Sequence, residues 1–310
     1  MRVVRALVTL CAVAVLALAF SPWVDRISPT WLPPVQALIR VWGITALVGI
    51  VIAVVVRAWW AVAACVVAAL AAALVVVNVN VPTCDPSEQK LSVLSANAEF
   101  STLPPREVAR QVAARDVDVL VLIEVHNAYL EELMAFDEMK HLVHRSGDVP
   151  DEVSPDGTVI LSRYPGKAFE VEQEAATFGQ PGFELDVNGR AVLVRAIHPK
   201  PPIPEMIKDW HLGLREIGMW QRETGTTPLI MAGDFNASRA HPVFREASHR
   251  LDFAAGRIAE ATWPADRSFW PFVDIDHILT RKFAVGKYET IEFSQTDHRA
   301  VWADLALCER

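Results

Sequence analysis

The sequence predicts an α/β protein, a two-sheet α/β sandwich with outer helices preceded by three N-terminal transmembrane helices. Three observations carry this. Residues 1–80 hold only Arg2, Arg5, Asp25, Arg26, Arg40 and Arg57 as charges and contain three long apolar runs. From residue 81 onward the pattern changes to short apolar segments broken by turn residues, with only occasional helical stretches. Hydrophobic residues make up 52% of the 310, which excludes a disordered chain, and four cysteines are too few for a disulfide scaffold.

Taken in order, Val3–Phe20 is an uncharged 18-residue run at the threshold of a spanning helix. With Arg2 and Arg5 as a basic flank it also fits the apolar core of a secretion signal. Val41–Val56 is a second run, extendable back to Val35 if Arg40 snorkels to the interface. Ala58–Val77 is a third, with Trp59 and Trp60 at its start where an aromatic belt falls. Arg2, Arg5 and Arg57 favour the cytoplasmic side and Arg26 and Arg40 the other. Three spans with an inner N-terminus put residues 81–310 outside, and removal of the first segment gives the same result. Cys11 and Cys65 read as small apolar groups. Cys84 and Cys308 flank the remainder of the chain, where an oxidising compartment permits one staple; two unrelated thiols is the other reading.

Leu91–Ala96 reads as a strand, Arg106–Arg115 as a helix behind a Pro-Pro stop, and Val117–Ile123 as a strand of a sheet interior. Tyr129–Met139 reads as helix. Thr158–Leu161, entered through the turn pair Asp156-Gly157, is a strand, as are Ala191–Ile197, Leu229–Ala232, Phe272–Leu279 and Ala300–Leu307. Pro199–Pro204 is a proline-rich loop. Pro201, Pro202, Ile203, Pro204, Met206, Ile207 and Trp210 form an apolar stretch close after His198 that fits either a lipid contact or a packed lid.

Polar groups recur where these strands end: Asn97 and Glu99, Glu124, His198, Asp234 and Asn236, Asp276, and Asp297-His298. Singly, each fits a turn former or a hydrogen-bonded core group. Together they bring hard oxygen donors and imidazoles to the place where open α/β sites form. Carboxylate and amide oxygens without cysteine suit Mg²⁺, or Mn²⁺, and the matching chemistry is hydrolysis of a phosphoester.

The segments LSVLSANAEF, VLVLIEVH, GTVILSRYP, VLVRAIHP, PLIMAGDFNAS, VDIDHILT and QTDHRAVWADL, in that order over about residues 91–307, resemble the endonuclease/exonuclease/phosphatase (DNase I-like) superfamily. The resemblance implies a metal at Asn97, Glu124 and Asp297, with Glu99 a less certain fourth position. It implies that Asp234 orients or deprotonates the attacking water, with Asn236 holding it, and that His198 and His298 bind the phosphate. Asp276 would orient His298, while Asp274 and His277 are structural. Ile197 where Thr is frequent, and Thr296 where Ser is usual, remove no reacting group. The layout of anchor plus domain also resembles actinobacterial membrane proteins linked to teicoplanin resistance.

The net charge of −8 averages two unlike parts, +4 for residues 1–80 and −12 for residues 81–310. A nucleic-acid domain carries a basic footprint, and none is visible. The sequence therefore ranks a lipid-linked phosphate, phosphodiester or pyrophosphate at the membrane surface above DNA or RNA. A membrane-anchored extracellular nuclease is the alternative, and a catalytically silent interaction domain ranks last. No segment marks an obligate protein partner. The expected division is a membrane anchor over residues 1–80 and a hydrolase domain over 81–310.

Overall fold

The computed structural model describes residues 1–26, 30–266 and 270–309. The N-terminal part contains α1 (Arg2–Ala19), α2 (Leu32–Ala37), α3 (Ile39–Val55) and α4 (Trp59–Val77). These helices meet through small residues, with Ala12, Ala46, Ala53, Ala61 and Ala68 buried, while Leu10, Ile44, Val51, Trp60 and Leu70 point outward. This reverses the arrangement of a water-soluble bundle. Small side chains let the backbones approach, and the large apolar ones face whatever surrounds the bundle.

Two stretches reach spanning length, the 22 residues Arg2–Trp23 and the 19 residues Trp59–Val77. The expectation of three full spans is thus corrected. The middle helix α3 has 17 residues, or ~26 Å of rise against a hydrocarbon core of ~30 Å. Its extension toward Val35 fails because the helix breaks at Leu38, leaving α2 as a separate turn that starts at the Pro33-Pro34 pair. Arg40 extends its guanidinium to the sandwich, with Nη2 3.3 Å from Asp274 Oδ1.

The rest of the described chain runs β1 (Pro86–Asn97), α5 (Pro105–Ala114), β2 (Val119–Ile123), α6 (Asn127–Met134), β3 (His144–Ser146), β4 (Thr158–Ser162), β5 (Gly166–Phe169), β6 (Gly182–Val187) and β7 (Arg190–Ile197). It continues with α7 (Ile207–Glu223), β8 (Leu229–Asp234), α8 (Pro242–Ala247), β9 (Asp252–Phe253), β10 (Asp276–Arg281), β11 (Phe283–Ile291) and β12 (Ala300–Cys308). Two mixed six-stranded sheets result, ordered β11-β12-β1-β2-β4-β3 and β5-β6-β7-β8-β10-β9.

Their inner faces share one core, in which Val93, Val121 and Ile160 of one sheet meet Val194, Ile230 and Ile278 of the other. Helices α5 and α6 cover the outside of the first sheet through Val108, Val112 and Leu133. Helices α7 and α8 cover the second through Trp210, Leu214, Ile217 and Phe244. That apolar stretch divides: Ile207 and Trp210 are packed, beginning the buried stripe of α7 at i, i+3, i+7 and i+10, whereas Ile203 is exposed. The expected helix over Tyr129–Met139 divides into α6 and a separate 3₁₀ turn, Asp137–Met139. Of the expected strand Phe272–Leu279, only Asp276–Leu279 lies within β10. Cys84 and Cys308 form a disulfide across Cα atoms 5.6 Å apart.

The helices dock on the sandwich through polar groups that satisfy their ends. The carbonyls of Val76 and Val77 close α4 without partners inside the helix; they accept from Arg239 Nη1 and Arg257 Nη1, each at 3.2 Å. Arg245 Nη2 donates to the Pro22 carbonyl at 2.5 Å. His241 Nδ1 accepts from the Ser238 N–H at 2.9 Å, so its Nε2–H is the donor to the Pro33 carbonyl at 2.9 Å. Burial is the main reason its pKa drops from 6.5 to about 4.

A histidine held neutral in the fold, but free to charge when unfolded, stabilises fully above pH 6.5 and progressively less as pH falls toward 4. Melting of the full chain in lipid nanodiscs from pH 7.5 to 4.5 will show Tm falling through this window. His241→Gln will flatten the slope by up to about 1.4 kcal/mol per pH unit; an unchanged slope contradicts the assignment.

Candidate active site

The topology assembles the site. β1 and β2 run parallel with Asn97 opposite Ile123, so Asn97 and Glu124 leave the sheet at the same end. β7 and β8 run parallel with Ile197 opposite Gly233, so His198 and Asp234 do likewise in the other sheet. β10 is antiparallel to β8 with Asp276 opposite Asp234. β12 pairs Val301 with Ser95 of β1, which brings the preceding Asp297-His298 beside Asn97. Face-to-face packing of the sheets then converges all these groups.

Local backbone shape does the rest. Gly233 has φ 149°, and a Cβ there would lie 2.2 Å from the Ile197 carbonyl oxygen; only glycine allows β7 and β8 to close up beneath Asp234. Glu99, Glu124 and Asn236 adopt left-handed φ of 43°, 60° and 48°. Such conformations are costly for residues other than glycine and gather where the fold fixes functional groups.

Asn97 sits at the centre. Its Nδ2 donates to Glu124 Oε1 at 3.2 Å and to Asp234 Oδ2 at 3.3 Å, and its Oδ1 accepts from the Glu99 N–H at 2.9 Å. Glu99 Oε2 accepts the Asp297 N–H at 2.7 Å. The Asn236 N–H donates to Asp234 Oδ1 at 2.7 Å, and its Nδ2 donates to the Pro199 carbonyl at 3.0 Å. His198 Nε2 lies 3.6 Å from Glu124 Oε1. His298 Nδ1 is 2.9 Å from Asp276 Oδ2, and its Nε2 faces Asp297 Oδ1 at 3.5 Å and Asp234 Oδ2 at 3.8 Å. Thr296 Oγ1 donates to the Asn97 carbonyl at 3.0 Å and accepts the His298 N–H at 3.2 Å. A hydroxyl is what that position needs, and threonine supplies it.

The electrostatics are those of crowded carboxylates. Burial raises the pKa of Glu124, Asp234 and Glu99, and neighbouring carboxylates reinforce it. Burial alone would leave His298 neutral, but Asp276, Asp234 and Asp297 outweigh it and hold the ring as an imidazolium. His198 goes the other way: burial, then the charge of His298, pushes it down to about 3, so it is neutral. Asp234, Asp276 and His298 each bring a carboxylate oxygen or ring nitrogen within 4.8 Å of one another; a metal on these three would require His298 to give up the proton its imidazolium form carries. The sequence-based metal positions Asn97, Glu99, Glu124 and Asp297 lie beside that set, with Asn97 bridging to it. Carboxylates that resist ionising together, with only oxygen and imidazole donors around them, fit a hard divalent cation.

The structure therefore brings every expected site residue to one place. Asp274 and His277 stand apart. Asp274 faces Arg40 and Arg239, and His277 Nε2 bonds the Ala237 carbonyl at 2.9 Å among Phe235, Phe244 and Phe253. Three residues were not singled out from sequence. Trp263 Nε1 donates to Asp297 Oδ2 at 2.8 Å. Phe178 lies 4.6 Å from the His198 ring, with Lys200 Nζ 3.7 Å above it. None has a motif signal, although Lys200 lies only two positions beyond His198.

Acidic groups that need a cation, set against an imidazolium, define a metal-dependent hydrolase. The chain belongs to the endonuclease/exonuclease/phosphatase family, whose model matches residues 94–298. Among solved structures, the fold is similar to D. rerio TDP2 complexed with a single-strand DNA product (15% identity, 70% of this chain and 99% of that one, TM-score 0.56). It is also similar to a mannosyl-6-phosphatase of Bacteroides thetaiotaomicron (17%, 70% and 100%, 0.51) and to sphingomyelinase C of Streptomyces griseocarneus (20%, 69% and 99%, 0.51). No curated protein matches the chain.

The Asp276–His298 pair is open to direct measurement. In the metal-free protein, Asp276→Asn will lower the NMR titration midpoint of His298 by about one to three pH units; an unmoved midpoint contradicts the pairing.

Proposed function

We propose that the protein is a divalent-metal-dependent phosphoesterase, anchored by residues 1–80, whose domain over 81–310 attacks a lipid-linked phosphate, phosphodiester or pyrophosphate at the outer membrane surface. The observation that carries the chemistry is the buried Asp234 carboxylate between Asn97, Asn236 and the His298–Asp276 pair. Glu124, Asn97 and Asp297, with Glu99 behind Asp297, would hold Mg²⁺ or Mn²⁺. When bound, the ion neutralises phosphate charge and stabilises the charge that develops during attack.

The chain's own groups have distinct tasks. Asp234, raised toward neutrality by burial, accepts a proton from the attacking water as the new P–O bond forms and the ester bond breaks. Asn236 fixes that carboxylate through its N–H. His298, kept charged by Asp276, donates from Nε2 to a phosphoryl oxygen, and neutral His198 contributes a second contact.

The outside location is supported by the arginine distribution and by the Cys84–Cys308 disulfide. The outward-facing apolar side chains of α1, α3 and α4 support the anchor. The layout shared with the teicoplanin-resistance membrane proteins is a likeness of architecture and is consistent with both.

A second reading, a membrane-anchored extracellular nuclease, has the stronger support from the comparisons: of the three structures described, the one with a DNA product has the highest TM-score. The net charge of −12 over residues 81–310 weighs the other way.

Purified full-length protein with Mg²⁺, given plasmid DNA, a phospholipid set and a polyprenyl pyrophosphate in parallel, separates the two. Lipid turnover abolished by chelation is expected, and Asp234→Asn will lower kcat by about 10²–10⁴. DNA nicking without lipid turnover establishes the nuclease instead, and metal-independent activity refutes the mechanism.

A further inference from the structure

Beside the reacting groups lies a cavity of about 390 Å³ whose wall includes Asn236 and His298. Most of the remaining wall is apolar and has two origins. Pro34, Ala37 and Leu38 come from α2 and the break before α3; Ile203, Phe272 and Val273 come from the sandwich. A site for sugars or inositols would line this space with polar donors and acceptors, because their hydroxyls must be satisfied on burial. Here the polar groups are Asn236, His298 and His241, and the apolar wall is shared between the sandwich and the α2 segment.

We propose that this cavity receives the first segment of a hydrocarbon chain whose phosphate lies at His298 and Asn236, so that the anchor forms part of the substrate site. The inference rests on the phosphoesterase reading and narrows its substrate to an amphiphilic phosphate, acyl-chain or isoprenoid. Three features converge. The volume lies in the range of about 300–1,000 Å³ usual for small-ligand sites. The apolar wall is continuous with residues that contact the reacting phosphate in the proposed mechanism. And the anchor segment is held against the sandwich by directed contacts: His241 bonds the Pro33 carbonyl at 2.9 Å, and Arg40 lies 3.3 Å from Asp274. A tether alone needs none of these. Ile203, 43% exposed, would sit at the mouth, and Trp263, which bonds Asp297, joins the apolar wall to the acidic site.

The test is a series of alkyl 4-nitrophenyl phosphates, from methyl to decyl, cleaved by the full chain in nanodiscs with Mg²⁺. All share one scissile bond and release 4-nitrophenol. The expected result is that kcat/KM rises at least ten-fold from methyl to octyl, and that Ala37→Trp or Ile203→Asp collapses the octyl-to-methyl ratio at least five-fold. Each chain partitions equally into the nanodiscs of wild type and variant, so the change in ratio isolates the cavity.

As a readout independent of turnover, decyl phosphate bearing a mid-chain diazirine will crosslink to peptides spanning residues 34–38, 201–203 or 272–275. An equal octyl-to-methyl ratio in wild type and variants, or crosslinking confined to the outer faces of α1, α3 and α4, overturns the inference while leaving the phosphoesterase intact. Failure to cleave any member of the series, together with no turnover of the phospholipid set or the polyprenyl pyrophosphate, overturns the phosphoesterase reading itself. Nicking of plasmid DNA with no gain from chain length assigns the site to nucleic acid.

Discussion

The carboxylate of Asp234 is buried where the two sheets meet, and much of the surrounding structure answers that charge. The Asn236 N–H and the Asn97 amide donate to its two oxygens. The imidazolium of His298 faces it, and that ring is kept charged by Asp276 behind it together with Asp234 and Asp297. Glu124 and Asp297 then add negative charge that protein groups do not balance. A buried charge without compensation is among the most destabilising features a fold can carry. The sandwich retains this one because the same imbalance favours a cation and prepares a proton acceptor.

That arrangement extends into the anchor. Asp274, two residues before Asp276, faces Arg40 of α3 and Arg239, and Arg239 in turn caps the carbonyl end of α4. The segment from Asp234 to Arg245 thus supplies the central carboxylate of the site, the Asn236 contacts, and three side chains (Arg239, His241, Arg245) that grip the N-terminal helical segment. Chemistry and attachment share one stretch of about a dozen residues. A shift of the helices relative to the sandwich would be felt at Asp274 first, and through β10 at Asp276.

Much of the sandwich was legible in the sequence, for a physical reason. Strands buried on both faces, such as Val119–Ile123 and Leu229–Asp234, must be nearly all apolar, and the polar residue that ends each run must mark the sheet edge. The site residues fall at such transitions, so they could be read before any fold was known. What escaped reading lacks that contrast. Helix α7 mixes Lys208, Asp209, Arg215 and Glu216 into a narrow apolar stripe behind a proline-rich entry, and β11 lies at a sheet edge with little buried surface. The number of full spans was overestimated because apolar composition does not show where Pro33-Pro34 and Leu38 interrupt the helix. Trp263 and the cavity were invisible because no motif marks them: Trp263 bonds Asp297 across a loop, and only the fold brings residues 34–38 to residues 201–203 and 263–275.

The Cys84–Cys308 disulfide has a mechanical meaning. It fastens the last strand to the segment that leaves α4, so the sandwich is a closed loop with a single covalent point of attachment to the helices. Tension applied through the anchor enters at the covalent bridge and bypasses the hydrogen bonds between β1 and β12. A protease that cuts the sandwich once, anywhere between the two cysteines, releases nothing, since both fragments stay joined to the anchor until the bridge is reduced.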